Sequence, residues 1–588
     1  MKKGGSFIVE QVDKGRIFSR EHFTEDHRMF EEAVKEFGKD RILPVAKDLN
    51  IFNTDLTREI FREMGELGFL AVDFPEEYGG LGLDKITTLI VAENLMAGGT
   101  ASIMVTFSDH TGIGTLPIIW YGTPEQKTKY LPKLASGEWM GSFALTEDEA
   151  GSDVLAGRTT AYLNDEGTHY ILNGTKIFVT NGSWTEVCIT FAQVNGKYTG
   201  FIIDKDCPGW VVGPEEHKMG IKGSSTCTFF FEDCKVPVEN VLGKVGQGSA
   251  IAFDVLYTGR YKLGANTNGG AKYSINLALD YAFERHQFNH PISDFGMIQR
   301  KFADMTVTAW EADTVIYMTG GAIDEAMQNI PDTHPDYYKI LQKVIEDHGI
   351  EASISKIAGS EALAYNVDEG LQIYGGSGFI EEYPFAVMYR DERINRIFEG
   401  TNEINRLIIG GTLLKKAILE EIPIREMIAD REDDWVPILD IPKNNQLFKE
   451  AQITELSRSL LIKTLHELIL KFGQDLKNNQ WAIEPLANMV ISLSKMDGGI
   501  KRYINLPENY QYTDSVKDVV TISVSNHFDI MLKSMREIFN YIFDKEDASK
   551  RIDEINQKVD SLKYYPQVIP AKQRLVERLY QLKHYFLD

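Results

Sequence analysis

The sequence predicts a mainly α-helical chain with a β-domain set between helical ones. Three observations carry that expectation. Apolar residues recur at helical spacing from Thr24 to about Met140 and again from Gln247 to about Leu413. Between Gly141 and Gly243 the spacing changes to that of short strands. At 588 residues the chain is also too long for one hydrophobic core, so several domains are expected. The expected boundaries are 1–140 for a first helical domain, 141–245 for the β-domain, 246–413 for a second helical domain, 414–444 for a linker and 445–588 for a last helical unit.

In the first region Phe30, Val34 and Phe37 share a helix face, with Gly38 as the expected stop. Ile60, Phe61, Met64 and Leu67 repeat the pattern behind Thr57, the expected N-cap. Pro75 to Gly82 is a turn-rich loop. In the β-domain Tyr170–Leu172, Lys176–Thr180, Val187–Gln193, Tyr198–Ile203 and Thr226–Glu232 read as strands. Asn173-Gly174, Asn181-Gly182 and Asn195-Gly196 between them read as hairpin turns. Further on, Ile275, Leu279, Ala282 and Phe283 keep helical spacing, and Ile350 to Asn366 is rich in small residues suited to close helix packing. Glu420 to Asp440, acidic and dotted with prolines, reads as the linker. Ile453, Leu456, Leu460, Leu461, Leu468, Ile469 and Phe472 then form an apolar stripe, read as core or interdomain contact.

Composition narrows the function. A hydrophobic fraction of 43% and a charged fraction of 25% are those of a globular protein. A formal charge of −24 argues against nucleic acid and against a basic membrane-binding surface. No run is apolar enough to span a bilayer, and Met1 to Arg20 carries charges throughout, so a cytoplasmic protein is expected. Cys188, Cys207, Cys227 and Cys234 lack metal-ligand or disulfide-framework spacing; free thiols and no metal site are expected.

The stretch with the clearest chemistry is Arg393 to Arg406, Arg-Ile-Asn-Arg-Ile-Phe-Glu-Gly-Thr-Asn-Glu-Ile-Asn-Arg. Glu399 stands behind Ile397 and Phe398 and ahead of Gly400, Thr401 and Asn402, residue types that start helices. A carboxylate so placed is a candidate general base; the plainer reading is a surface glutamate paired with Arg393 or Arg396. Four other stretches qualify: Ala144 to Asp153 (Ala-Leu-Thr-Glu-Asp-Glu-Ala-Gly-Ser-Asp), Lys176 to Gly182 (Lys-Ile-Phe-Val-Thr-Asn-Gly), Arg285 to Ile292 (Arg-His-Gln-Phe-Asn-His-Pro-Ile) and Gln372 to Phe379 (Gln-Ile-Tyr-Gly-Gly-Ser-Gly-Phe). Read alone, each is also an ordinary capped turn, strand or glycine turn.

Together and in this order these segments resemble the acyl-CoA dehydrogenase family, FAD enzymes that oxidise acyl-CoA thioesters. Tyr130 to Glu138, Lys218 to Lys222 and Arg390 to Arg406 look most like its very-long-chain branch, which also carries a C-terminal helical extension. The resemblance implies an N-terminal helical domain, a middle β-barrel and a C-terminal bundle of four-helix type, followed by that extension. It implies that Glu399 takes the substrate α-proton while hydride passes to flavin N5. The Glu399 backbone N–H and an FAD ribityl hydroxyl would receive the enolate oxygen. Thr146 would bond the flavin ring, Ser152 the FAD diphosphate and the substrate, Phe178 would pack on the ring and Thr180 would reach N5. Arg285, Gln287 and Phe288 would extend into a neighbouring subunit's FAD, and Gln372, Gly375, Gly376, Thr401 and Glu403 complete the expected cofactor set. Arg260 and Gly400 join Ser152 in the expected substrate set. Three departures from the family pattern stand out: Phe178 where tryptophan is common, Asn289 where glycine is usual, and Val387 where a basic residue is expected. The implied partners are acyl-CoA, electron-transfer flavoprotein and a second copy of the chain; a peripheral membrane contact stays open. An acyl-CoA oxidase-like flavoenzyme and a non-enzymatic scaffold on the same fold are the alternative readings.

Overall fold

The computed structural model describes residues 3–431 and 435–588. Its first helices are α1 (Glu25–Phe37), α2 (Thr54–Glu66), α3 (Lys85–Asn94), α4 (Ala101–Thr111) and α5 (Pro124–Ala135). Asn53, not Thr57, caps α2: its side chain accepts the Leu56 N–H, and Thr57 lies buried within the helix. Gly38 does not end α1 in a left-handed turn either. It keeps right-handed angles, and the chain continues in tighter and wider turns to Val45. Its glycine serves a close approach, since a Cβ there would come within 2.9 Å of the Gly98 nitrogen. Every residue of α3 is buried, its charged members compensated: Lys85 pairs with Asp73 at 2.6 Å and Glu93 with Lys272 at 2.6 Å.

The β-domain comprises β1 (Gly141–Ala144), β2 (Thr160–Leu163), β3 (His169–Thr180), β4 (Val187–Val194), β5 (Lys197–Asp204), β6 (Trp210–Glu215), β7 (Thr226–Pro237) and β8 (Val241–Leu242). The hydrogen-bonded order runs β6-β7-β3-β2-β4-β5-β8, with β1 on β4. Strand β4 is buried on both faces. Val187, Ile189 and Phe191 pack into the core shared with the helices, whereas Cys188, Ala192 and Val194 join a separate core within the sheet.

One of the three Asn-Gly pairs forms the expected hairpin. Asn195 and Gly196, with φ of 49° and 74°, join β4 to its antiparallel neighbour β5. Asn173-Gly174 instead lies inside β3, where the register against β7 shifts, so two expected strands are one bulged strand. Asn181 leaves β3 at φ 60°, but its Nδ2 donates to the carbonyls of Thr106 and Gly141, tying the β-domain to α4.

The second helical region holds α6 (Gly248–Glu284), a ribbon of β9 (His286–Gln287) and β10 (His290–Pro291), then α7 (Gly296–Met327), α8 (Gly349–Tyr374), α9 (Pro384–Glu392) and α10 (Asn402–Ile418). Helices α6 and α8 cross at glycine. A Cβ on Gly264 would sit 2.6 Å from the Ser355 carbonyl oxygen, and one on Gly359 2.4 Å from that of Gly264. This is the close packing that the small residues of α8 announce.

The last unit is α11 (Phe448–Phe472), α12 (Gln480–Ile504), α13 (Thr513–Ile542), α14 (Lys545–Ser561) and α15 (Val568–Leu582). Its stripe is core: Ile453, Leu456, Leu460, Leu461 and Leu468 are buried. The stretch expected as a linker is no free tether. It forms a short helix, Ile424–Asp430, buries Ile422 and Ile424, and pairs Arg431 with Glu455 at 2.7 Å. Residues 432–434 of that stretch, and Met1 and Lys2 at the start, lie outside the described residues.

A buried charge cluster joins the units. Arg20 pairs with Glu31 at 2.6 Å, with Asp313 at 3.1 Å and with Glu93; Arg502 of α12 pairs with Glu21 at 2.8 Å and Asp313 at 2.9 Å. Glu93, Asp313 and Asp588 converge closely enough to hold a cation, and the Lys272 ammonium is placed among them, 2.6, 2.7 and 2.6 Å away. Buried charges persist only when so compensated. Among the described residues, no helix is long and apolar enough to cross a membrane.

Candidate active site

Glu399 adopts φ 57° and Gly400 φ 75°, so the chain turns twice in the left-handed region just before α10. Thr401 caps that helix, its hydroxyl accepting the Ile404 N–H at 3.2 Å. Asn405 Nδ2 donates back to the Gly400 and Thr401 carbonyls at 2.8 and 3.0 Å, fixing the turn. A left-handed angle costs a residue with a Cβ about 1–2 kcal/mol, and it persists where the surroundings over-determine it.

The Glu399 side chain runs inward. The residue as a whole keeps some exposure, but its Oε2 is cut off from solvent and has no hydrogen-bond partner. It rests against the bare Cα of Gly259 on α6, where a Cβ would lie 2.7 Å from Oε2 and 3.0 Å from Oε1. Burial pushes its pKa up to about 7, against the opposing pull of Arg260 and Lys356. The surface-pair reading fails: Arg396 bonds Glu392 at 3.0 Å, and Arg393 is exposed. Of the expected apolar backing, Ile397 turns outward at 48% exposure and Phe398 is half-buried.

Arg260 is buried one residue beyond Gly259, with its guanidinium 4.7 Å over the Tyr257 ring and Nε without a partner. Its Nη2 lies 3.9 Å from where a Gly400 Cβ would stand. The structure thus brings Glu399, Gly400, Thr401 and Arg260 together.

Two further ionisable groups join them that sequence reading missed. Lys356 of α8 is fully buried, and its Nζ donates to Asn402 Oδ1 at 2.6 Å. Burial pulls its pKa down to about 7 although Glu399 favours its charge. Asp109 of α4 is buried, accepts from Asn181 Nδ2 at 3.3 Å, and is driven well above the carboxylate range by burial, with Glu399's charge adding to the effect. A signal existed: Lys356 is the only charged residue between Glu351 and Glu361, and Asp109 the only acidic one between Glu93 and Glu125.

The β-domain presents a second group. The Thr146 carbonyl accepts the Ile177 N–H at 2.9 Å, and the buried Lys176–Glu147 pair, 2.6 Å apart, locks that loop to β3. Glu147 also accepts the Arg158 and Thr159 N–H groups. Phe178, at φ 57°, turns outward with 62% of its surface exposed, beside half-buried Thr180. Ser152 is exposed on the adjoining loop.

The third group begins at the C-terminal end of α6. Arg285 ends α6 as its C-cap, and Gln287 and Phe288 lie on the β9–β10 ribbon, whose turn is made by Phe288 at φ 52° and Asn289 at φ 64°. Asparagine accepts the angle that glycine usually takes. Phe288 is 85% exposed. Gln372, Gly375 and Gly376 are exposed at the end of α8, and a Tyr281–Tyr374 stack with centroids 4.0 Å apart joins the two parts. Among the described residues, no hydrogen bond or ion pair links Arg285, Gln287 or Gln372 to the Glu399 cluster. Glu403 is exposed in the first turn of α10.

A helical–β–helical chain with a desolvated carboxylate at a helix start matches three family models in sequence. They are acyl-CoA dehydrogenase N-terminal domain over residues 24–138, middle domain over 142–234 and C-terminal domain over 246–414. The chain belongs to the acyl-CoA dehydrogenase family. It is 40% identical over 504 residues to a probable acyl-CoA dehydrogenase of Bacillus subtilis, covering 85% of this chain and 84% of that one. The crystal structure of a Bacillus anthracis acyl-CoA dehydrogenase complexed with FAD superposes with a TM-score of 0.93 at 36% identity, over 100% of both chains, the extension included. The rat very-long-chain-specific enzyme is 36% identical over 64% of this chain and 58% of its own length; the rat short-chain-specific enzyme is 34% identical over 68% and 92%. That small difference does not choose a chain length.

Proposed function

We propose that this chain dehydrogenates fatty acyl-CoA between the α and β carbons, leaving trans-2-enoyl-CoA, with Glu399 as the base. The observation that carries the reading is the Glu399 carboxyl, buried, unpartnered at Oε2 and raised to about 7. A thioester α-proton is a weak acid, so its base works best with a pKa near neutrality. Arg260 and Lys356 bring positive charge beside a base that would otherwise be neutral at pH 7, keeping a share of it ionised. The helix start after Gly400 aims partial positive charge at this turn, favouring the negative charge that develops on the thioester oxygen. The Glu399 N–H is the chain's donor for that oxygen.

FAD is the cofactor; when bound, its ring takes the β-hydride at N5. The residues present fit it. Phe178 offers an exposed aromatic face, held in a strained backbone, that a planar ring would cover. Thr146, whose carbonyl accepts the Ile177 N–H, and Thr180 at the end of β3 are the hydroxyls we assign to the ring, and the Lys176–Glu147 pair fixes the Thr146 loop to that strand. The exposed glycines Gly375 and Gly376 leave open space where a side chain would stand. Arg285, Gln287 and Phe288, turned outward, suit a second copy's cofactor, so we place a homodimer with this reading. Long acyl chains come first among substrates, and electron-transfer flavoprotein is the acceptor we assign.

The test is Glu399→Gln. The variant is expected to purify with FAD and to lose flavin reduction by palmitoyl-CoA under anaerobic conditions by a factor of about 10²–10⁴ or more. Reduction at the wild-type rate would remove Glu399 from the mechanism. Wild-type flavin that stays oxidised with palmitoyl-CoA but bleaches with butyryl-CoA would replace the chain-length assignment alone.

A further inference from the structure

Two thiols far from the Glu399 cluster in sequence lie in contact. Cys207 sits, half-buried, in the turn between β5 and β6, and Cys234 lies fully buried on β7. Their Sγ atoms are 3.3 Å apart across 27 residues of chain. The backbone holds them there. The Pro208 carbonyl accepts the Lys235 N–H and the Gly209 carbonyl accepts the Glu232 N–H, both at 2.9 Å, so the turn grips β7 on both sides of Cys234. Gly209 takes φ 89°, and a Cβ there would come within 2.7 Å of the Cys234 Cα. Only glycine lets the turn lie so close. This apposition is what a disulfide needs, because its geometry allows little backbone movement.

We propose that Cys207 and Cys234 form an oxidisable dithiol site, closed by hydrogen peroxide into an intrachain disulfide. The hydrogen bond between the two sulfurs, which either thiol can donate, holds Cys207 below the usual thiol range and pushes Cys234 up. Cys207, the more exposed of the two, therefore meets the oxidant first. Its thiolate attacks one peroxide oxygen: an S–O bond forms, the O–O bond breaks, and the leaving hydroxide takes a proton to become water. The Cys234 sulfur, releasing its proton, then attacks the Cys207 sulfenic sulfur. An S–S bond forms, the S–O bond breaks, and hydroxide and proton leave as a second water. The two thiols together lose two electrons to one peroxide. Closure ties the turn entering the edge strand β6 to β7, and thiol exchange in a reducing compartment reopens it.

The full-length holoenzyme is treated with hydrogen peroxide, unfolded and alkylated, and its peptides are mapped without reduction. Two of the four thiols are expected to disappear together, in one peptide linking Cys207 to Cys234, and to return with dithiothreitol. In Cys234→Ser, dimedone is expected to trap sulfenic acid at Cys207; in Cys207→Ser, Cys234 is expected to stay reduced. Oxidation of wild-type Cys207 to sulfinic acid with Cys234 still alkylated would overturn the proposal. So would parallel loss of all four thiols, or a link between chains.

Discussion

The carboxyl of Glu399 and the Cα of Gly259 are in contact: a methyl group at position 259 would stand 2.7 Å from Oε2. The contact joins α6 to the turn before α10, elements separated by most of the second helical region. It makes a glycine, which bears no functional group, part of how the base is aimed.

Gly259→Ala is expected to displace the Glu399 carboxyl and leave the fold intact, because the clashing atoms end a flexible side chain. A displacement near 1 Å costs about 10²-fold in rate. Anaerobic stopped-flow bleaching of the flavin by palmitoyl-CoA measures the loss, while FAD content and melting temperature stay at wild-type values.

The rate of flavin reduction is expected to rise with pH through about 7, as Glu399 loses its proton. Lys356, with its pKa pulled to about 7, titrates in the same range, so the two give a shared profile. A positive neighbour favours the carboxylate; Lys356→Met removes one and should move the profile to higher pH. Reduction would fall most below neutrality and least in alkali. A profile that stays in place would show that Lys356 does not act on the base.

The segment around Glu399 was legible because cap, glycine and carboxylate are neighbours in the chain. The helix start at Asn402 and cap at Thr401 follow from residue type. Gly259, Lys356 and Asp109 reach the same place from three other helices, and nothing in their own neighbourhoods says what they face. The strand region shows the same limit. Asn173-Gly174 has the residues of a hairpin and becomes a bulge, because pairing of β3 along the whole of β7 outweighs a local turn. The docking of the linker stretch was hidden for a related reason. Prolines and acids mark Glu420–Asp440 as irregular, but the pairing of Arg431 with Glu455 that docks it lies outside local pattern.

Phe178→Gly separates strain from ligand contact. Removing the side chain relieves a left-handed angle worth about 1–2 kcal/mol, and 62% of that side chain's residue surface is exposed, so little packing is lost. The FAD-free variant is expected to melt no lower than the FAD-free wild type. It should also retain less FAD, measured by the flavin absorbance that survives gel filtration.

Arg502→Met leaves Glu21 and Asp313 buried without one of their cations. Breaking a buried pair from one side costs about 3–5 kcal/mol. Calorimetry is expected to show a lower melting temperature for the whole molecule; an unchanged transition for everything but the last helices would show that the extension is not coupled to the rest.

That charge cluster also sets an order of events during synthesis. Glu21 and Arg502 are 481 residues apart. At about 5–20 residues per second, the ribosome needs roughly half a minute to a minute and a half to deliver the arginine after the glutamate. For that interval the nascent first domain carries Glu21 without the counter-ion that it needs once buried, and Asp313 of α7, made in between, waits for the same arginine, so the cluster is complete only after almost the entire chain has emerged. A cell making this protein has a long half-finished intermediate to keep from aggregating, and a stop codon late in the message would harm the first domain as surely as an early mutation.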